Sequence, residues 1–353
     1  MLPQRKREGG RMADLDPRLE NHRRELTAYS YRMLGSAFEA EDAVQETLVR
    51  AWRNFARFDE GKAPLRSWLY GIATNVCLDM LRSAQRRARA MDLGPASALG
   101  TPLGAPLPEN RWLLPIPDGR VLPGEGDPAE LAVARETIRF AFVAALQRLA
   151  PRQRAVLILR EVLRWRADEV AALLGGTVAS VNSALQRARA TLRAVAPDPA
   201  EPFRPLDEEQ RDLLARYIDA FERYDVDELT SLLHEDATMA MPPFAWWLRG
   251  RDQIAAALRG ADGFCHGSRM VATMANGFPA YGQYVPDPDR GGHRPWALVV
   301  LDVAGGRITG TTSFLEAERL FPLFGLPARP PMSSGPPLRI TAEGSPAERE
   351  PAP

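Results

Sequence analysis

Proline and glycine are concentrated in residues 91–129, a stretch that begins MDLGPASALG and ends VLPGEGDPA. Proline lacks a backbone N–H and fixes φ, and glycine loses much chain entropy on ordering, so no long helix can cross this stretch. A second proline-rich stretch, PDPAEPFRP, occupies residues 197–205. We therefore predict a multidomain chain with boundaries at both stretches.

The parts on either side of residues 91–129 are predicted to be all-α. Apolar residues recur at helical spacing through residues 14–90 and again through residues 130–196. We interpret residues 91–129 as an extended linker, even though they include Trp112, Leu113 and Leu114.

The part after residue 205 has a different pattern, which predicts an α+β domain over residues 205–326. Helical spacing covers 208–223, 226–233 and 251–258. Alternating segments at 237–241, 269–275, 296–302 and 307–314 predict strands of a curved antiparallel sheet. Residues 327–353 are rich in Pro, Ser and Glu, and we predict that this tail is disordered.

The composition of the 353 residues excludes several classes of protein. Cys77 and Cys265 lie far apart and outside any metal-binding spacing, which argues against a disulfide scaffold or a zinc site and favours a reducing cytoplasm. The basic N-terminal residues 1–12 lack the apolar segment of a signal peptide. No apolar run approaches the ~20 residues that span a bilayer. We predict a cytoplasmic protein with no membrane partner and no cofactor.

The formal net charge of zero hides an uneven distribution. Basic residues outnumber acidic ones by 17 to 12 in residues 1–90 and by 11 to 6 in residues 130–200, whereas residues 201–325 carry 12 basic and 19 acidic residues. This asymmetry indicates a polyanionic partner for the two helical parts and a different role for the third part.

Residues 164–192, RWRADEVAALLGGTVASVNSALQRARATL, form the pattern of two short helices broken at Gly175 and Gly176. Thr177 is a good N-cap for the second helix, which has one apolar face. Its other face carries small and polar residues first and arginines later, which suits a recognition helix of a helix-turn-helix. A plain amphipathic hairpin with solvent-exposed arginines explains this stretch equally well when it is taken alone.

Two earlier segments, DAVQETLVRAWRNF at 42–55 and APLRSWLYGIATNVCLDMLRSAQRRAR at 63–89, combine aromatic, amide and arginine side chains at helical spacing. Aromatic rings stack on unpaired bases and arginines follow phosphates. A flipped-out base also needs a pocket of polar groups that read its edge. These segments therefore suit a protein that opens and holds a single DNA strand.

These segments resemble bacterial sigma factors of the extracytoplasmic-function (ECF) group. Residues 42–53 look like region 2.2, which implies docking on the β′ clamp helices of core RNA polymerase. Residues 63–87 look like regions 2.3 and 2.4, which melt and read the −10 element of promoter DNA. Residues 146–192 look like region 4, whose helix-turn-helix reads the −35 element beside the β flap. The family lacks a folded region 3, so a linker is expected, and WLLPIPD at 112–118 resembles the linker of some members.

The resemblance implies three groups of binding residues. The polymerase group is Asp42, Gln45, Glu46 and Val49. The −10 group is Trp68, Asn75, Asp79, Arg82, Ser83 and Arg86, with the 58–66 loop near a flipped base. The −35 group is Thr177, Ala179, Ser180, Asn182, Ser183 and Arg187, where Ala179 replaces the basic residue of many relatives. For some of these positions a plainer reading stays open: Trp68, like Trp52, suits a core residue, and Asp42 and Glu46 suit solvated charges.

Residues 206–325 resemble a SnoaL-like domain of the NTF2-like fold, a cone of curved sheet closed by helices, which some ECF sigma factors carry. A pocket for a small apolar ligand is one reading, and a filled core is the favoured one. The candidate lining is Met239, Met241, Trp246, Trp247 and Phe314.

Related folds include cyclases and isomerases, so catalysis is one alternative for this domain. His234, Glu235, Asp236 and His266 are the local titratable candidates, but they form no paired-carboxylate constellation. We predict no enzyme activity and a regulatory role in cis for the extension. The rival hypotheses are a free-standing helix-turn-helix regulator and a cyclase or isomerase fused to a DNA-binding module.

Overall fold

The computed structural model describes residues 17–83, 94–108, 111–195, 207–260 and 264–331. The first helical part is all-α, as predicted. Ser36 caps the helix Ala37–Asn54 by accepting a hydrogen bond from the Glu39 N–H. Its helices are α1 (Pro17–Glu20), α2 (Arg23–Leu34), α3 (Ala37–Asn54) and α4 (Leu65–Ser83).

The second helical part contains the predicted helix-turn-helix. Thr177 caps the last helix, because its hydroxyl accepts a hydrogen bond from the Ser180 N–H at 3.1 Å. Gly175 has φ +60°, which lets the chain turn sharply between the two helices. The helices are α5 (Asp118–Val121), α6 (Pro128–Glu136), α7 (Phe140–Gln147), α8 (Pro151–Leu157), α9 (Ala167–Leu173) and α10 (Val178–Val195).

The C-terminal domain is α+β, with six strands in the order β2-β1-β6-β5-β4-β3. Its helices are α11 (Glu208–Arg223), α12 (Val226–Leu232), α13 (Arg251–Gly260) and α14 (Ala317–Leu323). Its strands are β1 (Leu233–Ala240), β2 (Trp247–Arg249), β3 (Arg269–Ala275), β4 (Phe278–Pro286), β5 (His293–Ala304) and β6 (Arg307–Phe314).

The prediction of a fully antiparallel sheet is wrong at one pair, because β6 inserts between β5 and β1 and runs parallel to β1. The sequence reading also missed β2 and β4. Strand β4 reads FPAYGQYVP, whose proline and glycine residues disguise a strand that pairs on both edges.

The prediction of an extended linker is wrong for the part of residues 91–129 that follows residue 110. Residues 112–116 are buried, and the Leu114 N–H donates to the Gly35 carbonyl at 3.0 Å. The Tyr31 hydroxyl donates to the Leu114 carbonyl at 2.9 Å. These apolar residues fill the space between α2 and the C-terminal sheet, and this contact is a tertiary one that local composition does not reveal.

Three hydrophobic clusters hold the described residues together, and two of them cross the predicted domain boundaries. The first joins α2, α3 and α4 to α8, α9 and α10. The second joins α2 and the linker to one face of the C-terminal sheet. The third fills the cone between the other sheet face and α11–α13. The sequence pattern therefore divides the chain into domains, but in the structure these domains pack against one another through shared hydrophobic clusters. The predicted tail, 327–353, lies outside the described residues from position 332 onward.

Candidate polymerase and promoter interface

Helix α3 presents the predicted polymerase group on one face. Asp42 and Gln45 are exposed, and Glu46 and Val49 are half-buried on the same side. The opposite face, which includes Val44, is buried against α2 and α4. This arrangement follows from the 3.6-residue period, which puts positions three, four and seven apart on one side of a helix.

Helix α4 presents Asn75, Asp79 and Arg82 as exposed side chains on one face. Ser83 is the last residue of this helix, and Arg86 lies outside the described residues. Asp79 accepts from Arg82 at 3.0 Å. An amide, a carboxylate and a guanidinium are therefore aligned along the surface that precedes the basic segment 84–89.

Trp68 belongs to an aromatic group at the start of α4. Its ring stacks on Phe58 with 4.9 Å between centroids and lies 6.3 Å from Phe55. Neither Phe55 nor Phe58 is among the predicted site residues, although the sequence NFARFD shows their spacing. Trp68 is half-buried, whereas Trp52 is 44% exposed, so the alternative of a core residue is wrong for Trp52.

All six residues of the predicted −35 group are exposed, Thr177 just before α10 and the other five within the helix. Their neighbours Val181, Leu185 and Ala188 are buried beneath them. The Arg187 guanidinium donates to the Ser183 hydroxyl at 2.6 Å, and Arg189 forms an ion pair with Glu161 at 2.5 Å. Arg187 is therefore a cation that lies beside the polar half of this face.

The two helical parts pack directly on one another. The rings of Tyr70 on α4 and Trp165 lie 5.1 Å apart, and a Cβ at Gly71 would lie 4.0 Å from the Cγ of Leu173. Region 4 also caps the end of α2, because Arg154 donates to the Met33 carbonyl and to Gln147. Burial lowers the pKa of Arg154 to about 10. A buried cation with neutral partners makes this contact a costly one to maintain.

The turn between β3 and β4 is inserted into a buried junction with the helical parts. The Asn276 side chain accepts from the Ile116 N–H at 3.0 Å and donates to the Tyr31 hydroxyl at 2.7 Å and the Ile138 carbonyl at 2.6 Å. Asn276 is fully buried and has φ +55°. One side chain thus joins α2, the linker, the segment before α7 and the C-terminal sheet.

Asp118 lies beside this junction and gives it an expected pH dependence. Its carboxylate accepts from the Gly277 N–H at 2.8 Å, but burial raises its pKa from 3.8 to about 6. The folded chain therefore favours the protonated form, so the free energy of unfolding is expected to fall as pH rises from about 4 to about 6.

The measurement is the thermal unfolding midpoint of the wild type and of Asp118→Asn at pH 4 and pH 7. The amide keeps the acceptor for Gly277 but cannot ionise, so the variant should lose less stability than the wild type over this interval. Equal losses in the two proteins would contradict the assignment to Asp118.

The five candidate pocket residues are not brought together. Met239 and Trp246 pack at the edge of the cone core, whereas Phe314 stacks on Phe140 of α7 at 5.7 Å in the cluster that joins the sheet to the helices. The indole N–H groups of Trp246 and Trp247 donate to linker carbonyls at 3.1 Å. Phe314 faces away because the β5–β6 register shifts between Asp302 and Val303, which reverses the alternation of faces.

The titratable candidates do not form a closed site. His234, Glu235, Asp236 and His266 are exposed, and Asp236 lies 3.6 Å from Arg249 in a surface ion pair. Within the described ranges, no group of three or more His, Cys, Asp or Glu residues could hold a metal ion. The same ranges contain no helix with the length and apolar character needed to cross a membrane.

Three family models match this chain. They are Sigma-70 region 2 at residues 19–87, Sigma-70 region 4 at residues 139–192 and the SnoaL-like domain at residues 214–311. The ECF RNA polymerase sigma factor SigG of Mycobacterium tuberculosis is 45% identical over 323 residues, which cover 90% of this chain and 85% of that protein. SigJ of the same organism is 29% identical over 299 residues, with 81% and 86% covered.

The crystal structure of M. tuberculosis SigJ shares this fold, with a TM-score of 0.55, 23% identity, and coverage of 89% of this chain and 99% of that one. The predicted fold class, helical regions 2 and 4 followed by an α+β NTF2-like domain, is confirmed. The hypothesis of a free-standing helix-turn-helix regulator is not supported, because region 2 is present. The chain belongs to the ECF RNA polymerase sigma factors and carries a C-terminal SnoaL-like domain.

Proposed function

We propose that this sigma factor binds core RNA polymerase through the exposed face of α3 and places α4 and α10 on the −10 and −35 elements of a promoter. The observation that carries the proposal is that three separate helix faces stay exposed while the opposite faces of the same helices build one core. Chemically, the three faces differ as their roles require. The α3 face is acidic, the α4 face combines an amide with charges, and the α10 face is small and polar beside arginine.

The chain acts as a specificity subunit, without catalysis of its own, alongside polymerase in the cytoplasm. The exposed positions of His234, Glu235 and Asp236 support this, because general acid–base chemistry needs groups held in a site that positions substrate and limits water. No ligand is proposed for the cone, since its candidate lining divides between two clusters.

Run-off transcription with purified core polymerase and a promoter library tests the proposal. The wild type is expected to start transcripts at defined sites, whereas core polymerase alone should not. Absence of any defined start site would remove the proposal altogether.

Arg187→Met is expected to slow initiation by about tenfold on any promoter, because a phosphate contact does not depend on base sequence. It should also make the plot of log affinity for promoter DNA against log salt concentration less steep, by a slope of about one. Asn182→Ala should instead relax base preference at one position of the −35 element. The measurement is the initiation rate on promoters with altered −35 bases over a range of salt. Arg290→Met, an exposed arginine in a C-terminal turn, is the matched control and should leave both properties unchanged.

We also propose that the C-terminal domain modulates activity in cis by holding region 2, the linker and the segment before region 4 in one junction. The buried contacts of Asn276 support this role, as does the shared cluster on one face of the sheet. A truncation that ends near residue 200 tests the role coarsely, and unchanged promoter activity would remove it. Point variants at the junction are a cleaner test, because truncation also exposes the apolar face of α2.

A further inference from the structure

A chain of alternating charges connects the α3 face to the α4 face. The Arg50 guanidinium lies 2.6 Å from the Glu46 carboxylate on its own helix and 4.0 Å from the Asp79 carboxylate on α4. Asp79 in turn lies 3.0 Å from Arg82. The order of the charged groups is Glu46, Arg50, Asp79 and Arg82. Glu46 at one end belongs to the proposed polymerase-binding face, and Arg82 at the other end belongs to the proposed DNA-binding face.

We propose that Arg50 is a positioning residue that couples polymerase binding at Glu46 to DNA binding at Arg82. This inference rests on the proposed function of the two faces. Arg50 lies about 80° around α3 from Asp42, on the side that meets α4, so it contributes to neither face directly. Its guanidinium has two carboxylates within ion-pair distance and is held closely by only one of them.

The coupling follows from competition for charge. When a basic group of polymerase forms an ion pair with Glu46, Arg50 loses its nearer carboxylate and shifts toward Asp79. Asp79 is then shared between two guanidinium groups and holds Arg82 less firmly, which frees Arg82 for a phosphate. The effect is reciprocal, because a phosphate on Arg82 frees Asp79 to hold Arg50 and so exposes Glu46.

The size of the effect is limited by solvent. All four side chains are between 42% and 75% exposed, and ion pairs of this kind are individually weak. Coupling through them is therefore expected to change affinity by about threefold, which is enough to favour DNA contacts in the polymerase-bound chain over those in the free chain.

Binding of a labelled short single-stranded DNA by the full-length chain, without polymerase, tests the coupling at its far end. Glu46→Gln removes the nearer carboxylate as polymerase would, and we expect about threefold tighter DNA binding than for the matched control Glu20→Gln. Glu20 also pairs with an arginine at 2.6 Å, Arg23, so both variants release one guanidinium and remove one negative charge.

The decisive comparison repeats both substitutions in an Arg50→Met background. In that background, Glu46→Gln should increase the affinity for single-stranded DNA no more than Glu20→Gln does. In an Arg50→Lys background, part of the difference in affinity between the two glutamate variants should remain. Equal gains for the two glutamate variants in the wild-type background, or a gain at Glu46 that survives the loss of Arg50, would overturn the coupling.

Initiation rates in run-off transcription supply the second measurement. In the wild-type background, the effect of Glu46→Gln plus Arg82→Met on the initiation rate should differ from the product of the two single effects. In the Arg50→Met background, the double variant should show the product of the two single effects. An Arg23→Met background should behave like the wild type. If the wild-type chain itself starts no transcript, the proposed function has failed, whereas an active wild type with independent effects contradicts the coupling alone.

Discussion

Replacement of Asn276 by alanine is expected to lower the free energy of unfolding of the junction by about 4 kcal/mol. The substitution leaves the Ile116 N–H and the Ile138 carbonyl buried without their partners, and each such group costs about 1–3 kcal/mol. Alanine also tolerates the φ of +55° less well than asparagine, which adds about 1 kcal/mol. Thermal and urea unfolding of the full-length chain measure the change.

Two further variants separate the contributions. Asn276→Gly removes the same hydrogen bonds but accepts a positive φ, so it should be less destabilising than alanine by about 1 kcal/mol. Gly305→Ala places alanine at φ +55° in an exposed turn with open space around it, and should cost only the conformational part. If Asn276→Ala costs no more than Gly305→Ala, the buried hydrogen bonds contribute nothing measurable.

The same junction shows where reasoning from sequence succeeds and fails. Helix α11 matches its prediction at both ends, since DEEQ supplies a capping box and the apolar period is regular. The Thr177 cap was visible for the same reason, because both signals are local. WLLPIPD shows neither the helical nor the strand period of apolar residues. Its burial depends on partners such as Tyr31, which lies more than 70 residues away along the chain. Local patterns therefore predict helices and their caps, whereas contacts between distant segments depend on tertiary packing, which no local pattern records.

The candidate site divides in the same way. The faces of α3, α4 and α10 follow from helical period, and the resemblance to a family named their partners. Arg50 escaped notice because its link to Asp79 joins two helices, and a single sequence does not reveal the pairing of long charged side chains. Phe314 is one of the five candidate lining residues, and an unbroken alternation along β6 would put it on the same face as Ile308, in the cone. A register shift of one residue reverses that alternation.

A disulfide that locks region 2 to region 4 is expected to slow promoter-dependent initiation by about 100-fold. The names of the −10 and −35 elements imply a separation of about 25 base pairs, or about 85 Å along a duplex. Helix α9 packs on both α4 and α10. Packed helices lie about 8–10 Å apart, so the axes of α4 and α10 are at most about 20 Å apart where each packs on α9. One straight promoter therefore cannot contact both helices until the Tyr70–Trp165 contact opens.

The variant Gly71→Cys combined with Leu173→Cys provides the lock, because a Cβ at position 71 would lie 4.0 Å from the Cγ of Leu173, so the two side chains meet where the regions are in contact. Oxidised protein should initiate about 100-fold more slowly than reduced protein, because polymerase and DNA can bind the separated state only after the bond is broken. The two single-cysteine variants control for the substitutions themselves, and the native Cys77 is buried and Cys265 half-buried. Mass spectrometry establishes that the bond has formed, and a fully oxidised chain that initiates at the reduced rate would show that the packed arrangement already supports transcription. Recovery on reduction would instead identify separation of the two regions as a required step, and the cost of burying the Arg154 cation would then favour that separation, because the guanidinium regains water.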